Sequence, residues 1–411
     1  MTLCPDHIAT GRMTSMFDRD ISEHSRQITG MLKNARICVI GGAGSIGASM
    51  TRLLATFPLD RLTIIDHNEN ALANLMRSFR ASSSPILAQK IETLPLDFGS
   101  ELFASFLGSQ TPYHFVFNFA ALKHVRTERD VFSALALIET NVLKPARLLQ
   151  TLGKFMPNAS YFSVSTDKAA NPVSFMGATK RLMEHVMFCS SSISKHQASR
   201  TTARFANVAY SEGSLLASFE QRMRARVPLA APTGILRYFI SHTEAAELCL
   251  LSALLGDTEH IYFPKLDPME NMVALEEVAR KFLQANGYEA DVFTMDEEDD
   301  AKAALEGLTA DRKWPLILTP ADTAGEKPYE EFVGENEHAA LTPMHELYAI
   351  RYQSELSTRE VDASLAEFEA MVRGNSDSEL TLDGLKARIA NLIPAFSETH
   401  IASEKRLDDR I

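Results

Sequence analysis

The chain has 411 residues, 45% of them apolar, and its 53 acidic against 41 basic side chains leave a net charge of −12. That length buries a large core and allows one to three structural units, while the absence of any basic run argues against nucleic acid or an anionic membrane surface as partner. No apolar stretch approaches the ~20 residues that cross a bilayer, and the N-terminus lacks a basic segment followed by an apolar one, so a soluble, cytoplasmic protein is expected.

Residues 1–34 form a polar lead-in, a packing arm with one helix predicted from Asp18 to Met31, where Ile21, Ile28 and Met31 recur at near-helical spacing. Arg36–Ile40 turns sharply apolar and predicts a buried strand, followed by Gly41-Gly42-Ala43-Gly44-Ser45-Ile46-Gly47 opening a helix through Leu54. Glycines at 41, 44 and 47 allow a tight turn, a close approach of backbone to a pyrophosphate and close packing of helix on sheet. With Ser45 and Ile46 they place the first N–H groups and the positive dipole end of the helix at the phosphates. Loops of this kind also occur as plain strand-to-helix turns. A second strand, Arg61–Ile65, ends at Asp66, 19 positions past Gly47. A carboxylate there accepts hydrogen bonds from the adenosine ribose hydroxyls and repels a 2′-phosphate, favouring NAD over NADP; the plainer account is a solvated acid at a strand end.

A third strand is expected to end near Asp97 and Phe98, with Asp97 facing the adenine amino group. His114–Phe119 predicts a fourth strand running into Ala120 and Ala121, small enough for a cofactor to lie against backbone. Lys123, His124 and Arg126 then bring three potential cations to the pocket mouth, His124 being as readily a surface histidine as a substrate contact. Asp130–Leu149 reads as one long helix that includes Asn141, placed to bond cofactor-proximal backbone.

The central stretch runs from Phe162 to Lys180. A short buried strand delivers Thr166, Asp167 and Lys168 at its C-terminal end, Pro172 bounds a loop, and a helix carries Met176 and Lys180 on one face, four residues apart. Methionine cannot titrate or move a proton. Thr202–Phe205 predicts a sixth strand leading to Asn207. Arg222, Arg224 and Arg226 read as a solvated face with one member able to reach a phosphate, and Arg237–Ile240 with the helix Thr243–Leu255 begins a smaller region. The acidic run 296–300 reads as an exposed helix start or loop, Pro315–Leu318 as a strand. Two amphipathic helices follow, one lined by Val361, Leu365, Phe368 and Val372, the other by Leu382, Leu385, Ile389 and Leu392, suited to core packing or a subunit contact. Cys4, Cys38, Cys189 and Cys249 are dispersed, which predicts buried reduced thiols rather than disulfides or a metal site. The fold expected is an α/β, Rossmann-like doubly wound parallel sheet. It divides into an arm (1–34), an NAD-binding domain (35–210), a substrate-binding region (211–345) and a C-terminal helical extension (346–411).

Four signatures together resemble the extended short-chain dehydrogenase/reductase family: Gly41 to Gly47; Ala120-Ala121-Leu122-Lys123-His124-Val125; Ser165-Thr166-Asp167-Lys168 with Asn171-Pro172; and Met176-Gly177-Ala178-Thr179-Lys180. Within that family they resemble the bacterial nucleotide-sugar 4,6-dehydratases acting on UDP-N-acetylglucosamine or its GDP counterpart. The similarity covers about residues 35–265, with a fainter echo at Gly325–Phe332. Thr323-Ala324 stands where relatives have Arg-Pro, and Pro328 interrupts the Gly-Glu-Lys motif. Short-chain dehydrogenases carry Tyr-x-x-x-Lys where this chain has Met176 and Lys180, and methionine there resembles the branch associated with retained configuration at C5. Such relatives feed bacillosamine, legionaminic acid and surface-polysaccharide pathways.

The resemblance implies a mechanism. Hydride passes from the sugar's C4 to bound NAD, and the resulting ketone acidifies the C5 proton, which the Lys168 amine removes if burial or nearby cations lower its pKa. Asp167, a carboxyl kept protonated in an apolar crevice, protonates the departing C6 hydroxyl, and hydride returns to C6 to leave a 4-keto-6-deoxy sugar. Lys180 holds the nicotinamide ribose, Thr166 bonds the C4 hydroxyl, and Lys123, His124, Asn207 and Arg237 contact substrate. Asp167, Lys168 or a water takes the C4-hydroxyl proton. A 4-epimerase shares the fold and the first hydride step but relies on the tyrosine that Met176 replaces; a non-catalytic NAD-binding regulator would make Met176 a lost function. Helices at 130–149 and 175–190 resemble the pair through which family members dimerise, so a homo-oligomer is expected.

Overall fold

An unbroken apolar run can be covered on both faces, and the first strand, β1 (Arg36–Ile40), is buried from Ile37 onward. The computed structural model describes residues 5–81, 86–123, 130–193, 198–320, 327–375 and 380–399. Among these, the further strands are β2 (Arg61–Ile65), β3 (Ile91–Leu94), β4 (Phe115–Asn118), β5 (Ser160–Thr166), β6 (Arg200–Phe205), β7 (Asn207–Val208), β8 (Leu229–Pro232), β9 (Leu236–Ile240), β10 (His260–Pro264), β11 (Met272–Ala274), β12 (Glu289–Thr294), β13 (Lys313–Thr319), β14 (Ala339–Leu341) and β15 (Leu347–Arg351).

Nine strands form one sheet in the order β14-β15-β10-β6-β5-β4-β1-β2-β3. Neighbours from β3 to β10 run parallel, and β15 and β14 close one edge antiparallel. The chain steps outward from β1 through β2 to β3, then crosses back to lay β4 on the other side of β1. That reversal opens a crevice beyond the carboxyl ends of the strands, where open α/β sheets take ligands. The expected doubly wound, Rossmann-like arrangement is therefore the one formed.

Two three-stranded sheets, β11-β9-β7 and β12-β13-β8, make a smaller body with its own core around Phe219, Phe282, Trp314 and Leu316. The large sheet takes strands from both sides of residue 210. The helix His242–Leu255 packs on β6, and β10 and then β14 with β15 return to the large sheet, so the chain leaves it and comes back twice. The segment beyond 345 likewise begins with a strand before turning helical.

Two predicted helices are differently built. The one expected from Asp18 to Met31 is a pair, Asp18–Glu23 and Ser25–Leu32, broken at His24 (φ −97°, ψ 7°). Its buried Asp20 instead receives the backbone N–H groups of His345 and Glu346 at 2.6 and 2.9 Å, which ties the arm to the loop before β15. The helix expected over Asp130–Leu149 starts at Val131, capped by the Asp130 carboxylate, and reaches Phe155, but residues Glu139–Leu143 form a π turn. Such turns widen the helix locally and re-aim a side chain.

The C-terminal helices Thr358–Val372 and Leu382–Leu392 lie over this π turn and over the helix Phe175–Cys189. Arg147 forks between Glu139 at 2.7 Å and Glu369 at 2.6 Å, and Phe175 meets Phe396 edge-on with ring centres 6.4 Å apart. Every residue from Phe175 to Phe188 is buried. The helices that the family resemblance assigns to dimerisation are thus covered by the chain's own C-terminal extension. Among the described residues, no helix is long and apolar enough to cross a membrane, and Cys38, Cys189 and Cys249 are free thiols.

Candidate active site

The glycine turn after β1 is as tight as a backbone allows. A Cβ on Gly47 would lie 2.1 Å from the carbonyl oxygen of Gly41, and Gly41 itself has φ +68° with Ala120 N 2.5 Å from where its Cβ would stand. Only glycine fits a left-handed position with backbone that close. The helix Ser45–Ala55 therefore starts directly beneath a crevice of about 680 Å³. Gly41, Gly44, Ser45, Ile46, Gly47, Ala121, Lys123, Thr166, Lys168, Met176, Lys180 and Asn207 line this one space, so most of the residues singled out in the sequence are brought together.

Others stand behind it. Asp66 is buried and braces the turn, its two carboxylate oxygens accepting from Ala43 N at 3.1 Å and Asn68 N at 3.0 Å. Asp97 is held by the Lys144 ammonium at 2.7 Å, with Phe98 buried beside it; Asp66, Asp97 and Phe98 are not among the lining residues. Ala120 is fixed through its N–H to Asn118 Oδ1 at 3.1 Å. The π turn aims Asn141 so that its amide grips both polar groups of Leu122, accepting from N at 3.0 Å and donating to O at 2.9 Å, and also reaches Thr179 Oγ1 at 3.1 Å. It thereby clamps the segment after β4 to the helix Phe175–Cys189. His124 and Arg126, like residues 323–326 of the weaker motif, lie outside the described residues. Arg222 points away from the crevice, donating to Pro228 O at 2.8 Å.

At the end of β5 the chain tightens into one 3-10 turn, Asp167–Ala169. Asp167 Oδ1 accepts from the Thr166 hydroxyl at 2.9 Å, the Lys168 N–H at 2.8 Å and the Lys168 ammonium at 3.1 Å. The helix that follows can start so close because residue 177 has no side chain: a Cβ there would lie 2.4 Å from Lys168 O. Met176 faces the crevice, and Lys180, buried, donates to Val164 O at 3.0 Å. Burial pulls the Lys180 amine down to about 8.

One participant was not singled out in the sequence. Glu330, its side chain 3% exposed, lies with Oε1 3.5 Å from Lys168 Nζ and 4.0 Å from Arg237. Its position within Gly325–Phe332 is the signal that pointed toward it, though proximity to Lys168 is purely tertiary. Arg237 is anchored by donating to Leu236 O at 2.8 Å and Lys327 O at 2.9 Å, and Asn207 Oδ1 stands 3.5 Å from the Lys168 ammonium. This changes the expected electrostatics of Lys168. Burial alone would lower its pKa, but the Asp167 and Glu330 carboxylates outweigh that and hold the amine above its ordinary value. The condition set from sequence, a pKa lowered by burial or nearby cations, is not met here, because the two carboxylates outweigh both burial and the Arg237 cation.

Behind β5 lies a second charged cluster. Arg204, fully buried, donates to Glu184 at 2.8 and 3.0 Å, to Glu337, and to Phe332 O at 2.8 Å, while Arg181 bridges Glu184 and Glu337. Ser165, next to Thr166, donates to Glu184 at 2.6 Å. Burial would raise the Glu337 carboxyl, but Arg204 and Arg181 hold it at about 2.

With this geometry in view, the relatives are informative. "Uncharacterized membrane protein MJ1061" of Methanocaldococcus jannaschii is 27% identical, covering 79% of this chain and 88% of its own. The capsular polysaccharide biosynthesis protein CapD of Staphylococcus aureus is 26% identical over 77% of this chain, which spans about half (47%) of CapD. A UDP-N-acetylglucosamine 4,6-dehydratase (inverting) of Campylobacter jejuni is 24% identical over 58% of this chain and 70% of its own. A shorter match, 28% identical over 37% of this chain, is to a UDP-glucose 4-epimerase of Rickettsia bellii. The crystal structure of Pen from Bacillus thuringiensis shares the fold, with TM-score 0.61 and 19% identity over 82% of this chain and 98% of that one. The family model described as polysaccharide biosynthesis protein matches residues 37–352, and the chain belongs to that family.

Proposed function

We propose that the chain is an NAD-dependent nucleotide-sugar 4,6-dehydratase, removing water from UDP-N-acetylglucosamine or its GDP counterpart to give the 4-keto-6-deoxy sugar nucleotide. Its place would be the cytoplasm, in surface-glycan or nonulosonic and bacillosamine-type sugar synthesis. At the coarser level, it is a nucleotide-sugar-modifying enzyme of polysaccharide biosynthesis, as its family and relatives are. The finer reading is carried by Asp167 and Lys168 in contact at 3.1 Å at a strand end, with Asp167 buried behind Lys168 and both Lys168 and Lys180 lining the crevice.

The glycine cradle, closed to any Cβ at Gly47, fits a dinucleotide pyrophosphate over the helix start. Bound NAD would supply the acceptor and donor of the hydride taken from C4 and returned to C6. Thr166 would orient the C4 hydroxyl, Lys168 remove the C5 proton, Asp167 protonate the leaving C6 oxygen, and Lys180 hold the nicotinamide ribose. Lys123, Asn207 and Arg237 are assigned to the substrate. Retained configuration at C5 rests on Met176 alone, and the dehydratase relative described above is an inverting enzyme. An epimerase has no use for an acid and an amine paired for elimination. Any self-assembly is assigned to a face other than the parts of 131–143 and 175–189 on which the C-terminal helices pack.

The test is incubation of the purified protein with UDP-N-acetylglucosamine and, in parallel, the GDP sugar, read by mass spectrometry. Loss of one water is expected. An unchanged mass with a new C4 epimer would instead make it an epimerase, and retained NAD with both sugars untouched would make it a binding protein.

A further inference from the structure

We infer that Glu330 is the proton store of this site, receiving through Lys168 the proton that leaves the sugar's C4 hydroxyl and returning it by the same route to Asp167 at the end of turnover. This rests on the dehydratase reading. Oxidation at C4 releases a hydroxyl proton early, whereas the water that leaves takes its proton from Asp167 later, so one proton must wait in the site between the two events. Met176 faces the crevice and has no proton to exchange. Lys168 is one-quarter exposed (25%) to the crevice and touches two carboxylates, Asp167 at 3.1 Å and Glu330 at 3.5 Å. Asp167 is occupied as the acid. Glu330, 3% exposed and steadied by the backbone-anchored Arg237, is shut off from solvent and has Lys168 as its route to the substrate.

The steps balance. Starting from a neutral Lys168 amine, a protonated Asp167 and an ionised Glu330, the C4 hydroxyl gives its proton to Lys168, which passes it to Glu330. Lys168, again neutral, takes the C5 proton as the C5=C6 bond forms, the C6–O bond breaks and Asp167 protonates the departing oxygen. Once C6 is reduced, Lys168 returns its proton to C5. Glu330 then gives its stored proton, through Lys168, to Asp167, and the three groups regain their starting state. Before substrate enters, Lys168 carries the proton, as its two anionic neighbours dictate. Filling the crevice excludes water and penalises ammonium beside carboxylate relative to the neutral pair, which shifts the proton onto a carboxylate. Burial favours the protonated form of Glu330, the form in which it holds the stored proton.

The test is Glu330→Gln, which keeps the shape and removes the proton site. Dehydration should fall about 100-fold or more, while NAD stays bound and Lys168 still exchanges the C5 proton of the 4-keto product in deuterated water. Glu330→Asp, which keeps a proton site, should recover part of the rate. Turnover of Glu330→Gln within threefold of normal overturns the role of Glu330 alone. An unaltered enzyme that binds NAD yet dehydrates neither sugar overturns the reading beneath it. Loss of C5 exchange together with turnover in Glu330→Gln would make Glu330 a positioning residue for Lys168 and overturn the store.

Discussion

The segment 327–337 carries two carboxylates into the large sheet, seven positions apart, and their surroundings differ in kind. Glu337 enters a cluster in which Arg204 and Arg181 meet Glu184 and Glu337 with hydrogen bonds from guanidinium to both acids, in forked geometry, and Phe332 O accepts as well. Glu330 enters a looser group in which Lys168 has one contact at 3.1 Å, then others at 3.5 Å, and Arg237 stands at 4.0 Å. A buried ion cluster with its bonds made is fixed in one state, because any proton shift or displacement leaves a charge uncompensated. A buried group with slack and an amine between two acids has several proton arrangements of similar energy. The first suits a brace and the second suits proton traffic, and Ser165 beside Thr166 joins them along β5.

The largest effect that would break this contrast is expected at Lys168. Lys168→Ala should remove dehydration by at least about 1000-fold, the scale of a lost acid-base group, with NAD still bound and the melting temperature little changed. Mass spectrometry of the sugar nucleotide after incubation measures it; full activity would take Lys168 out of the chemistry and turn the looser cluster into a second brace.

At the brace the loss should appear as stability. Arg204→Met leaves Glu184 and Glu337 buried with one cation fewer, and breaking such a pair costs about 3–5 kcal/mol. Urea unfolding followed by circular dichroism reads that value. Since Arg204 also holds Phe332 O at 2.8 Å, two residues past Glu330, turnover should fall along with it. A variant as stable as the parent would mean that the cluster has repacked and does not brace the loop.

Much of this arrangement was legible locally. Gly41 to Gly47 announced a tight strand-to-helix turn through the spacing of its glycines, Gly47 packing on the carbonyl oxygen of Gly41, and Thr166-Asp167-Lys168 announced chemistry at a strand end because the strand before them reads as buried. The readings that failed depended on partners far away. The rise rather than fall of the Lys168 pKa comes partly from Glu330, more than 150 positions distant. His24 breaks its helix where Asp20 is claimed by His345 and Glu346, and the amphipathic C-terminal helices gave no sign that they cover the helix Phe175–Cys189. Periodicity says which face of a helix is buried, but it does not say against what.

A third buried acid sharpens the contrast by having no ion pair among the described residues. Glu247 accepts a hydrogen bond from the Ser15 hydroxyl of the N-terminal arm, and burial, with Asp18 and Glu244 nearby, raises it from 4.5 to about 7. An acid whose folded pKa lies above its unfolded one contributes stability that is present below pH 4.5 and is lost as pH rises to about 7. Glu247→Gln should flatten that fall and leave the variant more stable by roughly 1–2 kcal/mol at pH 8, less whatever the Ser15 contact loses. Melting curves of both proteins between pH 4.5 and 8 test it, and parallel curves would mean that Glu247 is solvated.

The smallest effect is expected at Met176, which stands where short-chain dehydrogenases carry tyrosine. Met176 lines the crevice with Lys180, and the proton transfers proposed above ask nothing of it except volume. Met176→Leu keeps that volume, and such exchanges in packed sites usually cost less than about 1.5 kcal/mol, so turnover should stay within a few-fold and the pH profile should not move. If instead the rate collapsed while NAD remained bound, the thioether would be contacting substrate in a way that leucine cannot reproduce. If the rate held but the configuration at C5 in the product changed, Met176 would be steering the sugar face on which Lys168 returns the proton. That outcome would place the stereochemical decision in the wall of the crevice and leave the charged cluster to proton movement alone.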